Sequence, residues 1–233
     1  MKFIITLFTT TLFLTGLVIQ SNFAQVRELD AYSKLKVGGS VEVYLVKSNQ
    51  NKAEIQMIRG DAEDLMTEVK NDILLIKFKD RLAFSGGNQS KAKITLHYKE
   101  LKSIDAGAGS RVVSKEEIAS HQMSIDVSSG ASCALVIKSN DCKVNISSGG
   151  SCSVSGSTIN SNVQVSSGAS FNGSDLKSDM VKVSASSGAS AKVWAMEKII
   201  GNASSGGSIR FKGEPKEKIL DSGKYSGGSI RNM

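Results

Sequence analysis

The sequence predicts an all-β chain, a parallel β-solenoid with rungs of about twenty residues behind a β-rich N-terminal cap. Two observations carry that prediction. A Ser/Gly tetrad recurs as Ser129-Gly130-Ala131-Ser132, Ser148-Gly149-Gly150-Ser151, Ser167-Gly168-Ala169-Ser170, Ser187-Gly188-Ala189-Ser190, Ser205-Gly206-Gly207-Ser208 and Ser226-Gly227-Gly228-Ser229. Looser copies stand at Gly107-Ala108-Gly109-Ser110 and Val37-Gly38-Gly39-Ser40. The second tetrad position falls at 108, 130, 149, 168, 188, 206 and 227, in steps of 22, 19, 19, 20, 18 and 21 residues, and a nearly fixed step of this size marks stacked repeats. The second observation is that apolar and polar residues alternate with period two on both sides of each tetrad, as in strands with one buried face.

Residues 1–24 carry one positive charge at Lys2, an apolar stretch over residues 3–19 and a small-residue exit from Ser21 to Ala24. This is the pattern of a secretory signal peptide cut between Ala24 and Gln25. Thr6, Thr9, Thr10, Thr11 and Thr15 interrupt the stretch, which is short for a membrane span. The mature chain is then residues 25–233, read as one solenoid domain and expected in the periplasm, at the cell surface or outside the cell. No second apolar stretch is long enough to cross a bilayer.

Residues 25–105 lack the short repeat but are β-rich. Strands are expected over 41–46, 53–57, 73–78 and 93–98, turns over 49–51, 70–72 and 85–88, and a helical turn over 61–66. This portion reads as the first, wider layers and cap of the same coil.

Residues 106–212 form the regular rungs. After each tetrad the first position (Val41, Arg111, Cys133, Cys152, Phe171, Ala191, Ile209, Ile230) and the third (Val43, Val113, Leu135, Val154, Gly173, Val193, Phe211) are expected to face inward. The second (Glu42, Val112, Ala134, Ser153, Asn172, Lys192, Arg210, Arg231) is expected to face out. Before the tetrads, Ile125 and Val127, Val144 and Ile146, Val163 and Val165, and Val183 and Ala185 point in; Ser124 and Asp126, Lys143 and Asn145, and Lys182 and Ser184 point out. Each repeat is thus two short strands joined at a Ser/Gly corner, where glycine accepts a positive φ without steric cost. Polar return corners lie at 138–141, 158–161 and 177–179. One rung buries too few apolar side chains to offset the entropy of ordering its backbone, so the rungs must stack, at about 4.8 Å. Residues 213–233 contain the sole proline, Pro215, and a last tetrad followed by Ile230 and Arg231 that echoes Ile209 and Arg210. They are expected to close the far end.

Chemistry is sparse. The net charge is +7, falling to +6 without Lys2, but the lysines are dispersed and aromatic residues make up 6% of the chain, which argues against nucleic acid as partner. A loose affinity for acidic polysaccharide or anionic envelope lipid follows more readily. Cys133, Cys142 and Cys152 face inward as small hydrophobes; Cys133 and Cys152, 19 residues apart, are the one pair placed to bridge. With His97 and His121 the only histidines, neither a zinc site nor a hydrolytic triad is expected. No phosphate-binding loop, dinucleotide fingerprint or nucleophile elbow is present. No catalytic, metal or cofactor residue is therefore assigned, and no cofactor is expected. Asp141, Asn160 and Asp179 recur at intervals of 19 and are expected to form a column at the return corner. Its two carboxylates would lie two rungs, about 9.6 Å, apart, a separation available to an inverting glycosidase and equally explained by turn preference. Trp194 falls on the outward phase and is expected to be exposed.

The chain resembles the putative auto-transporter adhesin head GIN domain family, exported bacterial β-solenoids of unestablished function. The resemblance rests on Leu35-Lys36-Val37-Gly38-Gly39-Ser40-Val41-Glu42-Val43-Tyr44-Leu45, on Gly60-Asp61-Ala62-Glu63-Asp64-Leu65, on Thr67-Glu68-Val69-Lys70-Asn71-Asp72-Ile73-Leu74, and on the serial Ser-Gly-Ala-Ser corners through Gly213-Glu214-Pro215. It implies a surface or envelope role and brings no catalytic residues. Unlike an autotransporter, the chain is not expected to carry a membrane-barrel segment after the solenoid. The leading expectation is a non-enzymatic, exported protein of the cell envelope or surface, adhesin-like or active in envelope assembly. Its partner would be a glycan, matrix or envelope component. The alternative is a carbohydrate-active enzyme on the same scaffold, using Asp141 and Asp179.

Overall fold

The computed structural model describes residues 25–79, 90–223 and 226–233. Its strands are β1 (Gln25–Glu28), β2 (Lys34–Val37), β3 (Val41–Lys47), β4 (Lys52–Arg59), β5 (Leu65–Lys70), β6 (Ile73–Phe78), β7 (Lys91–Tyr98) and β8 (Ser103–Ala106). The long strands β9 (Arg111–Val127), β10 (Ser132–Ile146), β11 (Ser151–Val165), β12 (Ser170–Ala185) and β13 (Ser190–Ala203) follow. The chain ends with β14 (Ser208–Lys212), β15 (Glu217–Asp221) and β16 (Ser229–Asn232). All four strands expected in the N-terminal portion are present, each within two residues of its expected bounds. The helical turn is the three-residue 3-10 segment Ala62–Asp64, and the turn expected over 85–88 lies outside the described residues.

The strands line two walls of a β-solenoid. The first wall runs β1-β4-β7-β3, then the N-terminal halves of β9 to β13, then β14 and β16. The second runs β5-β6-β2-β8, then the C-terminal halves of β9 to β13, then β15. Within the rungs every pairing is parallel, and the wall-to-wall interior holds the apolar core. Ile125, Val144, Val163 and Val183 stand in register on consecutive rungs, none more than 1% exposed. Opposite them stack Val112, Cys133, Cys152, Phe171, Ala191 and Ile209.

The Ser/Gly corners are two-residue turns in which both central residues take positive φ, as at Ser129 (52°) and Gly130 (72°), closed by Ala131 N–H donating to Ser128 O at 3.0 Å. The expectation assigned positive φ to glycine alone. The structure places the preceding serine there as well, at 129, 148, 167, 187 and 205. The benefit is continuity between rungs: Gly130 N donates to Ser148 O, Gly149 N to Ser167 O, Gly168 N to Ser187 O and Gly188 N to Ser205 O, at 3.0–3.1 Å. The backbone ladder therefore continues from rung to rung through the corners.

The two looser copies are out of phase with the expected alignment. Positive φ falls on Ala108 and Gly109, so these two, and not Gly107 and Ala108, are the counterparts of Ser129 and Gly130. Arg111 then pairs with Ser132 and Val112 with Cys133. Arg111 is exposed, Val112 is buried and Val113 is half-buried, reversing the inward and outward assignment for this rung. In the same way Val43, not Val41, is in register with Val112; both valines are buried.

At the return corner the strand bends without breaking. β10 runs through it as one element, and the buried phase switches from Ser139 to Cys142 across exposed Asn140 and half-buried Asp141. Ser139, Thr158 and Ser178 are buried here, and Ser139 Oγ donates to Thr158 Oγ1 at 3.1 Å. A small hydroxyl at the bend satisfies itself against its neighbour in the stack and leaves room for the strand to turn.

The N-terminal end departs from a simple coil. The β6–β7 rung lies outside the earlier β2–β3 rung, and β4, β1 and β5 fold back antiparallel on its edges. Arg27 ties this cap together, donating to Leu65 O (2.6 Å), Ala62 O (2.7 Å) and Thr67 Oγ1 (2.9 Å). At the other end β15 and β16 add a last half-rung to each wall, and Leu220 and Ile230 converge over Gly201. No helix among the described residues is long and apolar enough to cross a membrane.

Candidate binding groove

On each rung the residue before inward Cys142 and the two between Cys142, Val144 and Ile146, or their counterparts, point out of the second wall. Stacking turns them into three columns. The column nearest the return bend reads Gln122, Asp141, Asn160, Met180, Lys198; the middle one Ser124, Lys143, Asn162, Lys182, Ile200; the third Asp126, Asn145, Gln164, Ser184, Asn202. Two adjoining grooves, of about 650 Å³ and 480 Å³, run along this surface and share Asn162, Lys182 and Ile200. The outer face of the first wall has a smaller hollow of about 250 Å³, near Ser153 and Asp175.

Hydrogen bonding divides the surface sharply. On the N-terminal side the polar groups satisfy each other: Asn145 Nδ2 donates to Asp126 Oδ1 at 2.7 Å, Ser124 Oγ to Asp126 Oδ2 at 3.1 Å, and Asn160 Nδ2 to Asp141 Oδ1 at 2.8 Å. Lys198 is held by Glu217 at 2.8 Å. Among the described residues, the side chains of Lys143, Asn162, Gln164, Lys182, Ser184 and Asn202 have no hydrogen-bond or ion-pair partner within the protein. They form a contiguous patch of hydrogen-bonding groups facing solvent, with Met180 and Ile200 among them at outward positions of the same columns. The period-two pattern placed Lys143, Asn145, Lys182 and Ser184 on the outside, but nothing in a linear sequence marks which outward groups remain unpaired.

The carboxylate column expected at 141, 160 and 179 does not form. Asp141 aligns with Asn160, but Asn160 aligns with Met180. A register shift between Ser153 and Ser155 inserts one residue into β12, which moves Asp179 out of the column to a place beside Ile159. Asp141 is instead engaged with Asn160, so the paired-carboxylate geometry that the enzymatic reading required is absent.

The cysteines are unbridged and buried. Cys133 and Cys152 are register partners on adjacent rungs. A hydrogen bond with Cys133, and then burial, raise the Cys152 thiol well above its ordinary range, and burial alone pushes Cys142 up to about 12. Cys142 and Cys152 are thus held as neutral thiols, and Cys133 is buried in the same core. Among the described residues no cluster of three or more His, Cys, Asp and Glu side chains could hold a metal ion.

Trp194 is half-buried, where the sequence implied exposure. The lysines of its neighbouring rungs cover it: Lys212 Nζ lies 4.1 Å and Lys177 Nζ 5.0 Å from its ring centre, and Lys212 also meets Asp175 at 3.5 Å. The indole is occupied within the protein by two cation–π contacts.

The family described as "Putative auto-transporter adhesin, head GIN domain" matches residues 31–215. The fold is similar to that of a crystal structure of a putative adhesin from Bacteroides fragilis, with a TM-score of 0.78, 17% identity, and coverage of 90% of this chain and 96% of the other. A putative adhesin from Parabacteroides distasonis superposes with a TM-score of 0.69 at 18% identity, over 90% and 96% of the two chains. A structure from the same organism named as a putative lipid binding protein gives 0.61 at 18% identity, again over 90% and 96%. No curated protein matches the chain.

Proposed function

This chain belongs to the family described as "Putative auto-transporter adhesin, head GIN domain", and from that premise we propose that it is a non-catalytic binding protein of the cell envelope or surface that holds its partner in the groove of the second wall. The observation carrying the proposal is the patch of unpaired amide, hydroxyl and ammonium groups in that groove. Side chains that could have bonded along the stack, as Asp126 and Asn145 do, are left open to solvent at rungs β10 to β13. The rungs beneath are held by continuous backbone ladders and an apolar core, so binding would require little ordering of the backbone. Placement outside the cytoplasm rests on the leader pattern at residues 1–24. The family supports adhesion or envelope assembly as the biological setting. The carbohydrate-cleaving alternative loses its support with the displaced Asp179.

Filling the groove tests the proposal. The purified protein is screened against glycans, matrix proteins and envelope fractions, alongside an Asn162→Trp, Ser184→Trp double variant whose melting temperature is unchanged. Binding to at least one component that falls by roughly tenfold or more in the variant is the expected result. Undiminished binding by the filled groove, or no binding by the parent protein across the panel, would overturn it.

A further inference from the structure

Resting on the groove reading above, we infer that its ligand is an extended acidic polysaccharide laid along the stack axis, with an anionic group on every second sugar. The groove's period points to a polymer. Each rung repeats the same outward positions at about 4.8 Å, close to the advance of one pyranose in an extended chain, so successive sugars would meet equivalent positions on successive rungs.

Charge then selects among polymers. Lys36 is paired with Asp105 and Lys198 with Glu217, both at 2.8 Å. Lys143 and Lys182 have no such partner. They occupy the same column with Asn162 between them, two rungs or about 9.6 Å apart. That spacing places an ammonium at every second sugar and a neutral amide at the sugar between. Gln164, Ser184 and Asn202 line the adjoining column, where they can donate to and accept from ring hydroxyls. Met180, on the same rung as Lys182, and Ile200, next to Lys182 in its column, stand beside these groups and can meet the C–H faces of the rings. An acyl chain fits this surface poorly: the groove is open, Met180 is 45% exposed, and polar side chains border the two apolar residues in the same columns.

Binding of the full protein is measured with three soluble probes and one membrane probe. These are hyaluronan oligosaccharides, with a carboxylate on alternate sugars; oligogalacturonate, with one on every sugar; neutral dextran; and vesicles of phosphatidylglycerol in phosphatidylcholine. The expected order is hyaluronan above oligogalacturonate, with dextran and vesicles unbound. Lys143→Gln, Lys182→Gln is expected to weaken hyaluronan binding by roughly tenfold or more. Lys192→Gln, Arg210→Gln removes the same charge from the first wall, where those residues are register partners, and is expected to leave binding within about twofold. Equal losses in the two double variants, equal affinity for the two acidic oligosaccharides, or binding to vesicles alone would overturn the inference. If Lys143→Gln, Lys182→Gln binds normally while Asn162→Trp, Ser184→Trp does not, the groove reading survives and the charge-alternating ligand falls; if neither variant loses binding, both fall.

Discussion

Ser167 shows what a single corner residue contributes. It sits at φ 53°, ahead of Gly168 at φ 69°, in a conformation that costs most L-residues roughly 1 kcal/mol. Serine is small enough to stack, but asparagine tolerates this region better and is the preferred partner of glycine in such turns. A methyl placed on neighbouring Gly168 would meet nothing within 4 Å, so the corner projects into open space and has room for a longer side chain. Ser167→Asn is expected to raise stability by about 0.5 kcal/mol, read as a higher urea midpoint with unchanged slope. A lower midpoint would show that the serine hydroxyl matters more than the backbone strain.

Within an element, the third tetrad residue is set by the strand of the neighbouring rung. Ala131, Ala169 and Ala189 each bury a methyl there, whereas a Cβ at Gly207 would lie 2.1 Å from Ala185 O and 2.5 Å from its carbonyl carbon. The obstacle is backbone held in the parallel ladder between β12 and β13, which cannot move without breaking its hydrogen bonds. Gly207→Ala is accordingly expected to destabilise the protein by about 2 kcal/mol or more, measured by thermal or urea unfolding, although the sequence shows alanine as acceptable in three sister corners. Unchanged stability would mean that the β14 corner is free to shift.

For the molecule as a whole, stability should follow position in the stack. β10, β11 and β12 each have a full rung on both sides; β15 is exposed along its whole length and, among the described residues, pairs with β13 alone. In a nearest-neighbour solenoid, interior rungs open only with their neighbours, while the terminal ones fray. Amide exchange is expected to be slowest at Val144, Val163 and Val183 and fastest in Glu217–Asp221. Equal protection throughout would indicate one fully cooperative unit. The same gradient holds the backbone beneath the groove in place at its centre, because that part lies on the protected rungs β10 to β12.

The tetrad spacing and the alternation around it were sufficient to read the solenoid, its corners and the core column from Ile125 to Val183, because stacking forces a local two-residue period and a corner chemistry that any rung displays in its own sequence. Alignment was legible only where the tetrad was complete: at Gly107-Ala108-Gly109-Ser110 two registers fitted the letters, and backbone φ selected the one that buries Val112. Tertiary structure alone decided the inverted order of the β6–β7 and β2–β3 rungs, the displacement of Asp179 and the unpaired state of Lys143 and Lys182. Each of these depends on which residues become neighbours on adjoining rungs. One inserted residue in β12 is enough to change that, since register is a relation between strands and belongs to neither strand alone.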